Sequence, residues 1–264
     1  MSALGARSEI PWTADEMMTV AASRSLRDGM SCFVGIGLPS SAANLARRTH
    51  APGIVLIYES GPIGAKPSTL PLSIGDGELA ETADVVASIP EIFNYWLQPG
   101  RIDVGFLGAA QIDRFANINT TIIGNDYRSP RVRLPGAGGA PEIAGACREV
   151  TVVMRHDLRA FVEEVDFITT PGYGRGQGCR ETWGLRGAGP TTVITDLGIL
   201  KPDPDTCELV LVATHQGVTV DDVQMQNQWP LQVAAELATT EVPTPEELVA
   251  LRSLSETTDA SNTG

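Results

Sequence analysis

The chain has 264 residues, 42 % apolar and 19 % charged, enough to bury a sizeable core and too apolar for a disordered polypeptide. No apolar run approaches the roughly 20 residues of a membrane span, and 19 Lys and Arg against 32 Asp and Glu leave a net charge of −13, the wrong sign for a nucleic-acid binder. Cys32, Cys147, Cys179 and Cys207 stand far apart, without a CxxC pair or neighbouring histidines, so no metal site is expected and a reducing, cytoplasmic setting is.

Residues 1–12 lack the apolar core of a secretory signal and read as an arm. Thr13 with Glu16 forms a capping box that opens a helix stopped by Gly29. A short apolar run, 31–34, leads into a glycine turn, 35–39, and a small-residue helix, 40–48. Residues 54–58 are continuously apolar over a strand's length, the mark of a sheet covered on both faces, and the run breaks off at Glu59. Further strands are expected at 83–88, 102–107, 118–123, 150–154, 192–195 and 209–213. Helices are expected at 90–97 and 141–147, each with proline in its first turn. Thr219 and Thr244 cap two more. The polar residues 255–264 read as a disordered tail. The alternation predicts an α/β fold in one domain, 13–254, with an open, mostly parallel sheet flanked by helices.

In such sheets, ligands sit where loops leave the carboxyl ends of strands. Gly35 and Gly37 open a helix, and Glu59 ends the next strand, an arrangement close to a dinucleotide site. Against that reading, Ser40 stands at the third glycine position and Pro39 removes an N–H donor. A second reading starts from Glu59 itself, exposed by a bend through Ser60 and Gly61. A carboxylate is ionised at neutral pH and can attack an activated acyl group without a general base. It then needs donors for the oxyanion, which glycine amides at 136–140 are suited to supply. On the residues alone both readings stay open, as does a purely structural turn.

The ordered series VGIGLP (34–39), AP (51–52), YESG (58–61), LGAAQID (107–113), NIN (117–119), GAGGA (136–140), VVMRH (152–156), TPG (170–172) and VITDLGIL (193–200) resembles the β subunit of family I coenzyme A transferases, glutaconate CoA-transferase type. The resemblance spans about residues 13–250. It implies the CoA-transferase fold and a heteromer in which this chain works only beside a homologous α subunit. It also implies acyl-CoA as substrate, no bound cofactor, and catalysis through an anhydride and then a glutamyl-CoA thioester on Glu59. Gly138 and Gly139 map to the oxyanion hole, and Gly35, Gly37, Pro39, Ser60, Gly61 and Gln111 to the cleft. Decarboxylase and ring-opening hydrolase relatives typically lack this glutamate, so its presence favours transfer. Ala116 stands where the family usually has glycine.

Other groups are weighed separately. His156 reads as a satisfied structural histidine. The loop 172–180, with Arg175 and Arg180 among glycines, reads equally as a phosphate cradle or a surface loop. Arg128, Arg131 and Arg133 offer a local basic group for a polyanionic substrate, unless the partner supplies one. Phe93, Tyr95 and Trp96 read as core or interface.

Overall fold

The computed structural model describes residues 11–261, with side chains through residue 254. Most of the expected arm and the last three residues of the expected tail lie outside the described residues. In chain order, the first strands are β1 (Ser31–Phe33), β2 (Val55–Ile57), β3 (Pro62–Ile63), β4 (Val85–Val86) and β5 (Val104–Leu107). Four short strands follow: β6 (Gln111–Ile112), β7 (Ile118–Asn119), β8 (Ile122–Ile123) and β9 (Val132–Arg133). The last are β10 (Glu149–Val153), β11 (Pro190–Ile194), β12 (Gly198–Pro202), β13 (Leu209–Thr214) and β14 (Gln232–Thr239). The helices are α1 (Ala14–Arg24), α2 (Leu38–Arg48), α3 (Gly77–Glu81), α4 (Ile89–Glu91), α5 (Ala140–Ala146), α6 (Cys179–Thr182), α7 (Val220–Met225) and α8 (Pro245–Ser261).

Ten strands join in one sheet, ordered β14-β13-β12-β11-β10-β5-β1-β2-β3-β4. The centre, from β11 to β2, is parallel, and antiparallel strands extend it on both sides. Both faces of the centre are buried. Cys32, Leu56, Tyr58, Val104 and Phe106 pack under α1 and α2, while Phe33, Ile57, Leu107, Val150 and Val152 pack with Ile143 of α5. Period-2 alternation between two apolar faces is why these strands read as unbroken apolar runs.

The predicted capping boxes form: Glu16 N donates to Thr13 Oγ1 at 3.2 Å and Thr13 N to Glu16 Oε2 at 2.8 Å, with an equivalent pair at Thr244 and Glu247. Ion pairs Arg252–Glu16 and Arg24–Glu247, each 2.6 Å, bind α1 to α8. The backbone of α8 stays helical to Ser261, into the segment read as a tail.

Further differences lie in three of the expected elements. Residues 118–123 are not one strand, because the Asn119 side chain accepts from Thr121 N at 2.9 Å and donates to Ile122 O at 2.6 Å, turning the chain between β7 and β8. Residues 83–88 shorten to β4, an edge strand whose Val85 and Val86 are exposed. In the expected helix 90–97, residues Ile92–Leu97 widen into a π-helix, a form frequent at functional sites.

Candidate active site

The chain passes from β1 to β2 in one direction and then lays β5 on the other side of β1. That reversal opens a crevice beyond the carboxyl ends of these strands. Strand parity decides which residue faces it. Tyr58 falls on the α1–α2 side, where its hydroxyl lies 3.3 Å from Ser40 Oγ and 3.5 Å from Asn44 Nδ2. Burial raises its phenol pKa and keeps it neutral. Glu59, two residues beyond Ile57, therefore emerges on the opposite face, toward α5.

The turn behind Glu59 is fixed by its backbone. Gly61 N donates to Tyr58 O and Ala87 N to Gly61 O, each at 3.0 Å. Gly61 has φ +128°, and a Cβ there would overlap the Ala87 carbonyl, so only glycine fits. Ser60 Oγ is buried with no partner among the described residues.

The second wall arrives on α5. Gly105 of β5 lets that helix lie close, since a Cβ there would collide with Ile143. The N-cap of α5 is Gly139. A Cβ built on Gly139 would stand 3.2 Å from Glu59 Oε2 and 2.7 Å from Phe93 Cζ. Glycine, carboxylate and aromatic edge thus share one small space. Upstream, Thr120 holds Gly136 twice, accepting from its N at 2.8 Å and donating through Oγ1 to its O at 2.8 Å. Between that anchor and the helix, the amides of Gly138 and Gly139 have no acceptor among the described residues. Free amides beside an ionisable carboxylate are the parts of a nucleophile and its oxyanion donors.

The other expected residues divide. Gly35 and Gly37 leave β1 beside Glu59, because β1 and β2 pair in parallel with Phe33 opposite Ile57. Gly37 is the N-cap of α2 at φ +83°, and Pro39 lies within the first turn of that helix, not in the loop before it. Gln111 is buried in a hydrogen-bond set of its own. Its Oε1 accepts from Asn119 Nδ2 at 2.7 Å and Asp166 N at 3.1 Å, and its Nε2 donates to Asp166 Oδ2 at 3.2 Å. The structure adds Phe93 and Thr120 to the site, and neither residue type in a helix or loop carries a sequence signal for such a role.

Two further candidates prove structural. His156 stacks on Phe161 with ring centroids 3.6 Å apart and meets Asn227 Oδ1 at 2.8 Å; burial drives its pKa down to about 4. Arg180 is buried and bound to backbone carbonyls, including Ala144 O at 2.7 Å and Gly172 O at 2.9 Å.

A family model described as coenzyme A transferase matches residues 15–226. The chain is 57 % identical over 251 residues to the B subunit of 3-oxoadipate CoA-transferase from Pseudomonas knackmussii, covering 95 % of this chain and 96 % of that protein. It is 36 % identical over 249 residues to the B subunit of glutaconate CoA-transferase from Acidaminococcus fermentans, covering 91 % of each. The crystal structure of glutaconate coenzyme A-transferase from that organism superposes with a TM-score of 0.88 at 32 % identity, over 94 % of this chain and 96 % of that one. The decarboxylase AibA/AibB superposes with a TM-score of 0.79 at 25 % identity, over 93 % of this chain and 95 % of that one. Matched over most of its length in sequence and in fold, the chain belongs to the coenzyme A transferase family.

Proposed function

We propose that this chain is the nucleophile-bearing member of a heteromeric CoA-transferase, exchanging CoA between an acyl-CoA and a dicarboxylic acid through Glu59. The relatives named for 3-oxoadipate and glutaconate both handle dicarboxylic acids by name, which supports that substrate class. CoA enters as substrate and no resident cofactor is invoked. An α subunit completes the acyl pocket. No described helix is long and apolar enough to cross a membrane, and a cytoplasmic setting is part of the same proposal.

The observation that carries the reading is the 3.2 Å approach of Glu59 Oε2 to the Cβ position of Gly139. The Glu59 carboxylate adds to the thioester carbonyl, the C–S bond breaks, and CoA thiolate leaves a mixed acyl–glutamyl anhydride. The thiolate then attacks the glutamyl carbonyl, releasing the first acid and leaving a glutamyl-CoA thioester. The acceptor carboxylate reverses both steps. No proton moves, so no general base is needed. Each addition places negative charge on a carbonyl oxygen, and the Gly138 and Gly139 amides are the donors available to it.

The test uses this chain assembled with its α partner. Acyl-CoA without acceptor should leave a thioester that borohydride reduces, with the mass change mapping to the peptide containing residues 58–61. Glu59→Ala should abolish transfer, and Glu59→Asp, which withdraws the carboxylate by about 1 Å or more, should lower it roughly 10²-fold. Transfer retained by Glu59→Ala, or label on another residue, overturns the assignment.

A further inference from the structure

The turn 136–139, which carries the free amides, is not held by packing. A Cβ on Gly136 or Gly138 would meet nothing within 4 Å, and their φ angles are +104° and +51°. Glycine at such angles has other conformations within reach, so hydrogen bonds at the two ends decide where the amides point. At the helix end, Ala140 N donates to Ala137 O at 3.1 Å and Ile143 N to Gly139 O at 2.9 Å. At the other end, Gly136 N donates to Thr120 O and Thr120 Oγ1 donates to Gly136 O, each at 2.8 Å. Among the described residues, no other side chain bonds to the backbone of this turn.

Thr120 is itself held from behind. Its N donates to Thr169 Oγ1 at 2.9 Å, and that hydroxyl meets Thr121 Oγ1 at 2.6 Å and Asn119 Oδ1 at 3.4 Å. Thr169 and Asn119 are buried, whereas Ala137 and Gly138 are exposed. A fixed polar group therefore meets one end of a soft turn, and a single hydroxyl completes the join.

We propose that Thr120 is a positioning residue for the transfer reaction. Its hydroxyl fixes the Gly136 carbonyl and, through the peptide planes that follow, the aim of the Gly138 and Gly139 amides at the carbonyl that Glu59 attacks. Thr120 acts through the turn and makes no bond to the substrate. The inference rests on the transfer reaction proposed above and adds to it the group that sets the donors in place. A misplacement of about 1 Å can cost ~10²-fold in rate. The bond itself is worth little to the fold, because the Gly136 carbonyl is only half-buried and water can replace the lost donor. Removing the hydroxyl should therefore strike turnover and spare stability.

Thr182 supplies a matched control in the other glycine loop. Its Oγ1 donates to Gly178 O, also at 2.8 Å, and a Cβ on Gly178 would again meet nothing within 4 Å. The experiment compares wild type, Thr120→Val, Thr120→Ser and Thr182→Val, each assembled with the α partner. It measures kcat, KM for acyl-CoA, melting temperature, and the rate at which acyl-CoA labels Glu59, counted per folded site. Thr120→Val should lower kcat and the labelling rate about 10–10²-fold, with KM within about twofold and an unchanged melting temperature. Thr120→Ser keeps the donor and should return both rates to within about threefold of wild type. Thr182→Val should alter neither rate. The role is overturned if Thr120→Val labels at the wild-type rate, if Thr120→Ser is as slow as Thr120→Val, or if Thr182→Val loses as much. A fall in melting temperature with an unchanged rate per folded site overturns it too. A wild type that takes no label fails the transfer reading and the positioning role together, whereas a labelled wild type matched by Thr120→Val fails the positioning role alone.

Discussion

Residues 136–140 and 172–180 are both glycine-rich turns that lead into a helix, equal on composition as anion cradles. In the second, the Arg180 side chain and the amides of Gly172, Gly174 and Gly176 are occupied. Arg180 reaches Gly187 O at 2.9 Å as well as Ala144 and Gly172, and Asn117 Oδ1 takes the amides of Gly172 and Gly174, each at 3.1 Å. Gly172 and Gly174 serve close packing, since a Cβ on Gly172 would overlap the Ala116 carbonyl and one on Gly174 would collide with the Trp183 ring. In the first, only Gly136 is pinned, and a Cβ on Gly138 would meet nothing within 4 Å. Glycine content is the same signal in both. What separates them is whether the donors are already satisfied, because a buried, satisfied group holds the fold and an open one is available to a ligand.

The widest separation between the two loops comes from the open one. Gly139→Ala sets a methyl 2.7 Å from Phe93 Cζ and 3.2 Å from Glu59 Oε2. The assembled enzyme should keep its melting temperature yet lose about 10²–10³ in kcat, the usual effect of disturbing an oxyanion donor. Normal turnover with a large thermal loss would exchange the roles of the two loops. Arg180→Ala should do the reverse. Several hydrogen bonds at about 1 kcal/mol each disappear and leave carbonyls without donors, so roughly 3–4 kcal/mol is lost. That is about 10 °C in melting temperature for a chain of this size, with kcat of the folded fraction unchanged. A tenfold fall in that kcat would place Arg180 in the site after all.

His156 sharpens the contrast by pH, since it too is a satisfied buried group. The unfolded chain takes up a proton near 6.5, while the folded one waits until about 4. Stability from this residue is therefore complete above 6.5 and lost as pH falls toward 4, by up to about 3 kcal/mol. Asp113 opposes it. Burial raises that carboxyl to about 6, so its contribution is present in acid and lost as pH rises through 6. Comparing His156→Gln with wild type isolates the histidine. The stability advantage of wild type should shrink between pH 7 and 4, and a constant difference would mean a hydrated imidazole.

The parallel centre was legible because burial on two faces writes an apolar run into each of its strands, as at 54–58 and 150–154. Edges were not. Most residues of β14 are exposed on both faces, so no alternation marks it, and β12 was missed beside it. The break at Asn119 depends on side-chain bonds to its own backbone neighbours, which composition does not display. Glu59, Ser60 and Gly61 were legible as a bend after a buried strand, and Gly138 and Gly139 as small residues before a helix. The bonds that hold Gln111 to Asn119 and Asp166 were not legible, because they join separate segments of the chain. Phe93 reads as any apolar helix residue, and only the packing of α5 reveals it against Gly139. Ala116 sits at φ +56°, a left-handed conformation that favours the glycine expected there from the resemblance. The alanine here adds strain of about 1–2 kcal/mol.

The outermost strand, β4, bears on the chain's fate during synthesis. Its valines lie bare at the sheet's end, with Ile89 and Tyr95 exposed just beyond them, and Ala87 is hydrogen-bonded to the turn that carries Glu59. A short, uncharged, apolar edge is a template for a second copy's backbone. An unmatched surplus of this chain is thus a proteostatic hazard, and stacking at that edge would also tug on the turn that carries Glu59. Balanced production with a partner subunit would then guard against precipitation.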